Sequence, residues 1–292
     1  MKDLSYIHAA YVIRDPEVLV SPIVFSSPHS GRNYTNEFLN SSILNEHSIR
    51  SSEDAFVDQL IDFTTELGTP LLLATVPRSF VDMNRSSEEL DPALIEGVYN
   101  ITKNSRVTSG LGVIPRVVSN SRSIYCGKIT QEEVSRRIDN YWKPYHQALD
   151  RLLQRARHLF GYSLLIDMHS MPHEAVSHMN KSRQSTNVVI GDRFGASADI
   201  CIVNMVANAF EAHGFHVSRN IPFAGAYITQ RYGRPEQCKH AVQIELDRSL
   251  YLNEANILPS ENFEILKALL IDVLGDIVRK TAQHTVTGFA AE

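Results

Sequence analysis

Side chains that can bind a metal ion, carry a proton or hold an anion follow short apolar runs at four places in the sequence. Each run has the composition of a buried β-strand, and in an open α/β sheet ligands bind just beyond the carboxyl ends of such strands. The polar residues at the four ends are His29; Arg78, Asn84 and Arg85; Asp167 and His169; and Glu245. Four such ends form a pattern, and we expect these residues to converge on one site.

Two of these residues, His29 and His169, indicate metal chemistry. A catalytic zinc ion normally takes three ligands from histidine and carboxylate side chains and leaves one position open. The two histidines with one carboxylate meet that requirement, whereas the alternative is two unrelated structural histidines. The sequence contains no His-Glu-x-x-His pattern, which excludes the common zinc-protease motif.

Glu245 is embedded among apolar residues in the run AVQIEL, residues 241–246. Burial raises the pKa of a carboxyl group toward neutral pH, where the group is suited to act as a general base. The alternative for Glu245 is a buried ion pair with Arg248. Asp167 stands two residues before His169, and we expect it to orient that histidine instead of binding the metal.

Eight longer segments, spread over most of residues 22–252, carry a family pattern. They are SPHSGRNY, SEDAFVDQL, VPRSFVDMNR, YCGKITQEEVSRRIDNYWKPYHQALD, LLIDMHSMP, NVVIGDRFG, NIPFAGAYITQRYGRP and VQIELDRSLYL. In this order they resemble the N-formylglutamate amidohydrolase family, which is similar in turn to the zinc carboxypeptidase and aspartoacylase clan. The resemblance implies one Zn²⁺ ion and hydrolysis of the amide bond of a small N-acyl amino acid.

The resemblance implies His29 and His169 as metal ligands. Carboxypeptidases have a glutamate three residues after the first histidine, but Arg32 stands at that position here. Asp54 in SEDAFVDQL is the carboxylate ligand that the family segment implies, and its neighbour Glu53 is the second choice. Asp54 could instead cap the helix predicted to follow it, a common role for an acid near a helix start.

The same resemblance implies roles in catalysis and substrate binding. Glu245 corresponds to the catalytic glutamate, and Arg78 to the arginine that polarises the scissile carbonyl. In the segment DMNR, Arg85 corresponds to the arginine that holds the substrate carboxylate, and Asn84 supports it. A second basic group must bind a side-chain carboxylate, and polar loops offer residues for substrate binding that could equally fix those loops. These further candidates are Arg193, Arg231 and Tyr227.

The substrate that the resemblance implies is N-formyl-L-glutamate, with L-glutamate and formate as products and histidine degradation as the setting. Two alternatives stay open. The chain could be a related deacylase of N-acyl amino acids or a carboxypeptidase-type hydrolase, or it could be a non-catalytic relative that binds the same ligand. The presence of both histidines and of Glu245 argues against the non-catalytic alternative.

Strands alternate with helices along the chain, which predicts one α/β domain in three layers, α/β/α. The resemblance adds a mixed central sheet of the zinc-carboxypeptidase type, which is phosphorylase/hydrolase-like. We expect a single amidohydrolase domain over residues 1–292, with a polar N-terminal segment at 1–22 and an excursion over the active site at 86–128.

Three local predictions concern the elements that position the candidate residues. Apolar residues at helical spacing predict a helix over residues 53–67. Residues 162–172 predict a buried strand that carries Asp167 and His169 at its end. The sequence TQEE predicts a helix capped by Thr130, and Pro144 predicts a kink or a division in that helix.

Composition excludes several classes of partner. Of the 292 residues, 43% are hydrophobic and 21% charged, which is ordinary for a globular protein. The net charge of −5 predicts neither nucleic acid nor an anionic membrane as partner and is compatible with a small anionic substrate at a locally basic site. No apolar stretch approaches membrane-spanning length, and Cys126, Cys201 and Cys238 lack the spacing of a disulfide framework. We therefore expect a cytoplasmic enzyme with reduced thiols, and the sequence indicates no oligomeric state.

Overall fold

The structure is a computed structural model that describes residues 9–99, 104–177 and 186–287. Its strands are β1 (Tyr11–Arg14), β2 (Ile23–Ser27), β3 (Leu71–Ala74), β4 (Val117–Val118), β5 (Arg122–Ser123), β6 (Ser163–Met171), β7 (Val188–Gly191), β8 (Val217–Arg219), β9 (Lys239–Asp247), β10 (Leu252–Asn253) and β11 (Leu258–Pro259). Seven of them form the central sheet in the order β1-β3-β2-β6-β9-β7-β8, whereas β4 pairs only with β5 and β10 only with β11 among the described strands.

The central sheet is mixed. β2 is parallel to β3 and β6, and β6 is parallel to β9, whereas β1 and β7 are antiparallel to their neighbours β3 and β9. The pairing of β6 with β9 sets His169 opposite Glu245 and Asp167 opposite Gln243. Since side chains two apart on a strand point to the same face, each strand presents two polar groups to the same region.

Helices cover both faces of the sheet. They are α1 (Asn36–Ser41), α2 (Glu46–Ile49), α3 (Val57–Leu60), α4 (Ser105–Thr108), α5 (Gln131–Arg137), α6 (Lys143–Phe160), α7 (Glu174–Ser177), α8 (Ile200–Ala212), α9 (Tyr227–Tyr232) and α10 (Phe263–Thr287). One apolar cluster joins Phe25 and Ile166 to α8 and α10, and a second joins Val24 and Leu165 to α6. The prediction of a three-layer α/β/α fold with a mixed sheet is confirmed.

The helix predicted to begin at Thr130 does so. The Thr130 hydroxyl accepts a hydrogen bond from the backbone N–H of Glu133 at 3.3 Å, which is the first half of a capping box. Pro144 lies in the first turn of α6, which follows directly on a π-helical turn, Ile138–Trp142. The helix therefore bulges before the proline, as π-helical turns allow.

This bulged helix holds the segment that carries Asn84 and Arg85. The indole N–H of Trp142 donates to the carbonyl oxygen of Arg85 at 2.9 Å. One turn later, Nε2 of His146 lies 2.9 Å from the carbonyl oxygen of Met83. The two bonds fix the backbone on either side of Asn84.

The predicted continuous helix over residues 53–67 is wrong. The chain there forms only the single turn α3 and a 3₁₀ turn, Asp62–Thr65. Phe56 precedes α3 with a φ of +64°, and the backbone N–H of Asp54 donates to the carbonyl oxygen of His29 at 3.0 Å. This tertiary bond ties Asp54 to the end of β2, and it outweighs the helical spacing of the apolar residues.

The segment at 86–128 contains α4 and the β4–β5 pair, and several of its residues between 106 and 121 border the same cavity as His29 and His169. Residues 100–103 of this segment, and residues 1–8 of the predicted N-terminal segment, lie outside the described residues. Within the part of the chain that the structure describes, no helix is long and apolar enough to cross a membrane. Cys126, Cys201 and Cys238 are exposed free thiols.

Candidate active site

Three buried side chains from three segments direct ligand atoms toward one another. His29 follows β2, His169 lies in β6, and Asp54 precedes α3. Nδ1 of His169 is 3.1 Å from Nδ1 of His29 and 2.9 Å from Oδ2 of Asp54, and the remaining pair of atoms is 3.4 Å apart. Ligand atoms on a tetrahedral zinc ion are about 3.3 Å apart when the bonds are about 2.0–2.1 Å long. The three distances therefore suit such an ion.

A carboxylate lies behind each histidine. Nε2 of His29 is 2.7 Å from Oδ1 of Asp82, and Nε2 of His169 is 2.8 Å from Oδ2 of Asp167. An ionised carboxylate only accepts hydrogen bonds, so both Nε2 atoms carry a hydrogen, and in the neutral rings both Nδ1 atoms are left with a lone pair. This arrangement fixes the ring orientation and the tautomer that a metal ligand needs.

The charge balance of the centre favours a cation. Two Nδ1 atoms and an Asp54 oxygen face one another at hydrogen-bond distance, so either a proton on a histidine or a metal cation must lie between them. Burial lowers the pKa of His169, but the charge of Asp167 and the hydrogen bonds to Asp167 and Asp54 outweigh burial, so that the pKa is raised well above its usual value. Two nitrogen donors and one carboxylate are the donor set of a catalytic zinc site, and the residues present fit that ion.

Asp54 is held in its ligand position by charge. Burial raises the pKa of Asp54, but hydrogen bonds with His169 and His29 outweigh it and lower the pKa well below its usual value. Arg248 Nη2 donates to Oδ1 of Asp54 at 3.0 Å, so the oxygen turned away from the histidines is also bonded. Asp54 does not cap α3, since the residue at the cap position is Phe56 and no side chain bonds there.

Glu53, the second choice as carboxylate ligand, is directed elsewhere. Its Oε1 accepts from the Tyr34 hydroxyl at 2.6 Å and from Arg50 Nε at 2.9 Å. These bonds hold Glu53 outside the group formed by His29, Asp54 and His169. The geometry thus favours Asp54 as the third ligand.

Glu245 lies on β9 directly beside His169 on β6. Gln243 Nε2 donates to Oε1 of Glu245 at 2.7 Å, which fixes one carboxylate oxygen. Burial raises the pKa of Glu245 to about 7, the positive charge of His169 opposes the rise, and the negative charge of Asp54 adds to it. Arg248, the alternative ion-pair partner, is bonded to Asp54 instead. Glu245 is therefore a buried carboxylate poised to exchange a proton near neutral pH.

Asp82 links Arg78 to His29, because its carboxylate contacts both side chains. Arg78 Nε donates to Oδ2 of Asp82 at 2.9 Å, while the other oxygen of that carboxylate contacts His29. Burial raises the pKa of Asp82, but the charges of Arg78 and His29 outweigh burial and lower it well below its usual value. The Arg78 side chain is 25% exposed and borders the cavity, so it is available to a ligand.

Arg85 and Asn84 are buried and border the same cavity. Arg85 Nε donates to the carbonyl oxygen of Leu111 at 3.0 Å, and its Nη1 donates to the carbonyl oxygen of Asn84 at 3.0 Å. Asn84 Oδ1 accepts from the backbone N–H of Ile228 at 2.8 Å, and its Nδ2 donates to Gln243 at 3.3 Å. Both side chains are thus held in place beside the candidate metal centre.

The cavity around the centre has a volume of about 480 Å³. The structure brings together at its border the three metal-ligand candidates, Glu245, Arg78, Asn84 and Arg85. It places the other three predicted substrate-binding residues elsewhere. Those residues are Arg193, Arg231 and Tyr227.

These three residues contact other parts of the chain, and their role in substrate binding stays a prediction. Arg231 Nη1 donates to the Tyr227 hydroxyl at 2.8 Å, and the guanidinium lies 5.8 Å from the ring centroid of Trp142. Arg231 borders a separate cavity of about 210 Å³. Arg193 adopts a φ of +55° in the turn after β7, and its backbone N–H donates to the carbonyl oxygen of Ala224 at 2.8 Å. These residues stabilise loops and helix α9.

Sequence reasoning did not single out Asp82 and Gln243 as site residues. Gln243 stands two residues before Glu245, just as Asp167 stands two residues before His169, so strand alternation could have found it. Asp82 is 53 residues from His29 along the chain. No local pattern in the sequence pairs them.

Comparison with known proteins gives a family. The model of the N-formylglutamate amidohydrolase family matches residues 21–252. A curated N-formylglutamate deformylase from Pseudomonas aeruginosa is 31% identical over 236 residues, which cover 80% of this chain and 83% of the relative. An N-formylglutamate deformylase from Pseudomonas putida is 30% identical over 80% of this chain and 82% of the relative.

Solved structures also include a similar N-formylglutamate amidohydrolase. The crystal structure of N-formylglutamate amidohydrolase from Ralstonia eutropha JMP134 is similar with a TM-score of 0.86 and 32% identity, over 96% of this chain and 100% of that chain. A gene product of Agrobacterium tumefaciens is similar with a TM-score of 0.67 and 15% identity, over 96% and 97% of the two chains. The second likeness shows the fold alone.

Proposed function

The chain belongs to the N-formylglutamate amidohydrolase family, and from this premise we propose that it hydrolyses N-formyl-L-glutamate to L-glutamate and formate. The observation that carries the proposal is the convergence of His29, Asp54 and His169 beside Glu245 in one cavity. The names of relatives in two Pseudomonas species support the formyl substrate.

We propose that His29, Asp54 and His169 hold one Zn²⁺ ion. A mixed nitrogen and carboxylate donor set supports zinc over calcium or magnesium, which prefer oxygen ligands. When bound, such an ion supplies Lewis acidity that lowers the pKa of water and polarises a carbonyl group.

In this proposal Glu245 moves the proton. A carboxyl group with a pKa near 7 can take a proton from the attacking water and return it to the leaving amine. The water oxygen goes to the formyl carbon, the C–N bond breaks, and the proton goes to the amine nitrogen. The bond from Gln243 to one oxygen of Glu245 keeps the carboxylate oriented through both transfers.

The arginines hold the anionic parts of the reaction. Arg78 is positioned by Asp82 to donate to the oxygen that gains negative charge when water attacks, which is an effective form of catalysis. Arg85 binds the α-carboxylate, because its planar guanidinium matches a carboxylate. Asn84 supports Arg85 through its backbone carbonyl oxygen.

Formate release by the purified protein tests this function, with and without zinc. We expect zinc-dependent turnover of N-formyl-L-glutamate and much slower turnover of N-acetyl-L-glutamate and N-acetyl-L-aspartate. Preference for an acetyl substrate or for a C-terminal peptide bond would support the alternative hydrolases. A zinc-loaded protein that binds N-formylglutamate and hydrolyses none of these substrates would support the non-catalytic relative.

Three further points belong to the proposal. We propose that residues 1–292 form a single amidohydrolase domain, that the enzyme acts in histidine degradation, and that it is cytoplasmic. The likeness to the Ralstonia eutropha amidohydrolase over 96% of this chain supports the single domain. Fractionation of cells that produce the protein tests the third.

A further inference from the structure

Four arginines border the catalytic cavity, and one of them differs from the others. They are Arg78, Arg85, Arg106 and Arg248. Three have a carboxylate oxygen within 4 Å, namely that of Asp82 for Arg78, Asp54 for Arg248 and Glu89 for Arg85. Within residues 9–99, 104–177 and 186–287, the Arg106 side chain makes no hydrogen bond or ion pair, and it is exposed. Its charge is therefore available to a ligand.

Backbone bonds hold Arg106 beside Arg85. Asn104 Oδ1 accepts from the backbone N–H of Arg106 at 3.0 Å at the start of α4, and Val107 in the same turn is buried. The carbonyl oxygen of Arg106 accepts from the N–H of Leu111 at 2.8 Å. The carbonyl oxygen of Leu111 in turn accepts from Nε of Arg85 at 3.0 Å. Leu111 thus links the two arginines within one wall of the cavity.

Arg85 and Arg106 both border the cavity in a protein of net charge −5, and both interact with the negative charge of Glu89. Burial lowers the pKa of Arg85, Asp82 opposes this, and the charges of Arg78 and Arg106 lower it further. Two cations held near each other stabilise an anion that lies between them. A ligand with two carboxylates offers one negative charge to each arginine.

We propose that Arg106 binds the side-chain carboxylate of the substrate while Arg85 binds its α-carboxylate, so that α4 selects acidic N-acyl amino acids. The inference rests on the proposed function and assigns the second basic group that this substrate requires. Arg193 and Arg231, which the sequence offered for this task, do not border the cavity. A guanidinium bonds a carboxylate through two parallel N–H groups, so the neutral amide of a glutamine side chain is a poorer ligand for Arg106.

The test compares Arg106→Gln with Arg106→Lys and a control, Arg122→Gln, on N-formyl-L-glutamate and N-formyl-L-glutamine. Arg122 is an exposed residue of the same segment that bonds Ser48 and does not border the cavity. For Arg106→Gln we expect KM for N-formylglutamate to rise by about 10- to 100-fold with kcat changed by less than about threefold. KM for N-formylglutamine should stay unchanged, Arg106→Lys should recover part of the loss, and Arg122→Gln should match the native protein.

A loss of the same size on both substrates, or unchanged KM values in Arg106→Gln, would overturn the inference. Calorimetric binding of L-glutamate and L-glutamine separates this outcome from failure of the proposed function. If the native protein hydrolyses neither formyl substrate but its preference for glutamate disappears in Arg106→Gln, the proposed function fails and the role of Arg106 stands. If the preference for glutamate is the same in both proteins, the role of Arg106 is wrong.

Discussion

Two buried histidines from different regions of this molecule have different neighbours, and these neighbours give them different properties. His169, in the candidate metal centre, and His146, in α6, are each 2% exposed. His169 bonds the carboxylates of Asp167 and Asp54. His146 lies among aromatic rings, with Nε2 against a carbonyl oxygen and Nδ1 2.9 Å from the Tyr232 hydroxyl.

The pKa values of the two histidines move in opposite directions because of these partners. Burial lowers the pKa of both rings. For His146 burial dominates, the charge of Arg231 adds to it, and the pKa falls to about 3. For His169 the carboxylates outweigh burial and the pKa rises. Burial alone therefore does not set the direction of the pKa shift of a histidine, whereas carboxylates bonded to the ring reverse it.

The largest effect expected from this comparison is that of His169→Ala. Removing one of three ligands should abolish zinc binding and lower kcat/KM on the order of 10³-fold or more. Zinc content by mass spectrometry and formate release measure the two effects. A His146→Gln variant with normal zinc content is the matched control. Full activity of zinc-free His169→Ala would contradict the metal centre.

Glu245→Gln should give the next largest effect, because it removes the proton acceptor and preserves size. We expect kcat to fall by about 10²- to 10⁴-fold while zinc content stays normal. Measuring zinc content and kcat in the same preparation distinguishes loss of the general base from loss of the metal ion. Retained turnover with normal zinc content would show that Glu245 is not the general base, and the family membership of the chain would still stand.

Sequence reasoning identified the residues that lie at the ends of strands. His169 and Glu245 were chosen because a buried strand that contains or precedes polar groups has a recognisable pattern. This pattern occurs in residues 162–172 and in the run AVQIEL. Asp54 came from the family resemblance, since the composition of SEDAFVDQL does not distinguish it from Glu53. Strand pattern and family order together were enough to predict the layers of the fold.

Contacts between distant segments were not predictable. The helix over residues 53–67 failed because a backbone bond from Asp54 to His29 redirects the chain, and spacing within a segment cannot show such a bond. Arg193 and Arg231 were chosen for the polarity of the segments around them, which does not reveal whether a side chain borders the cavity. Arg106 was overlooked for the same reason.

Asp167→Asn tests the carboxylate behind His169 directly. The amide has nearly the same shape but no charge, so it makes the surroundings of His169 more like those of His146. We expect zinc affinity to fall by about 10- to 100-fold, measured by competition with a chelator, and activity to return at high zinc concentration. An unchanged zinc affinity would mean that the charge of Asp167 does not strengthen metal binding by His169.

The smallest effect on activity is expected at His146, where the comparison predicts a change in stability instead. The folded protein keeps His146 neutral down to a pH of about 3, whereas the unfolded chain takes up a proton below its usual pKa of about 6.5. Protonation therefore favours unfolding as pH falls below 6.5. The loss is about 1.4 kcal/mol per pH unit from this residue, or about 2 kcal/mol at pH 5.

His146→Gln removes this titration and retains an amide donor for the carbonyl oxygen of Met83. Urea unfolding between pH 5 and 7.5 should show a shallower pH dependence in the variant than in the native protein, with the difference confined to pH below about 6.5. At pH 7.5 zinc content and turnover should match the native values, because His146 is not a ligand. Equal slopes in the two proteins would show that His146 takes up its proton at the same pH in the folded and unfolded chains, and the contrast with His169 would then lose its electrostatic basis.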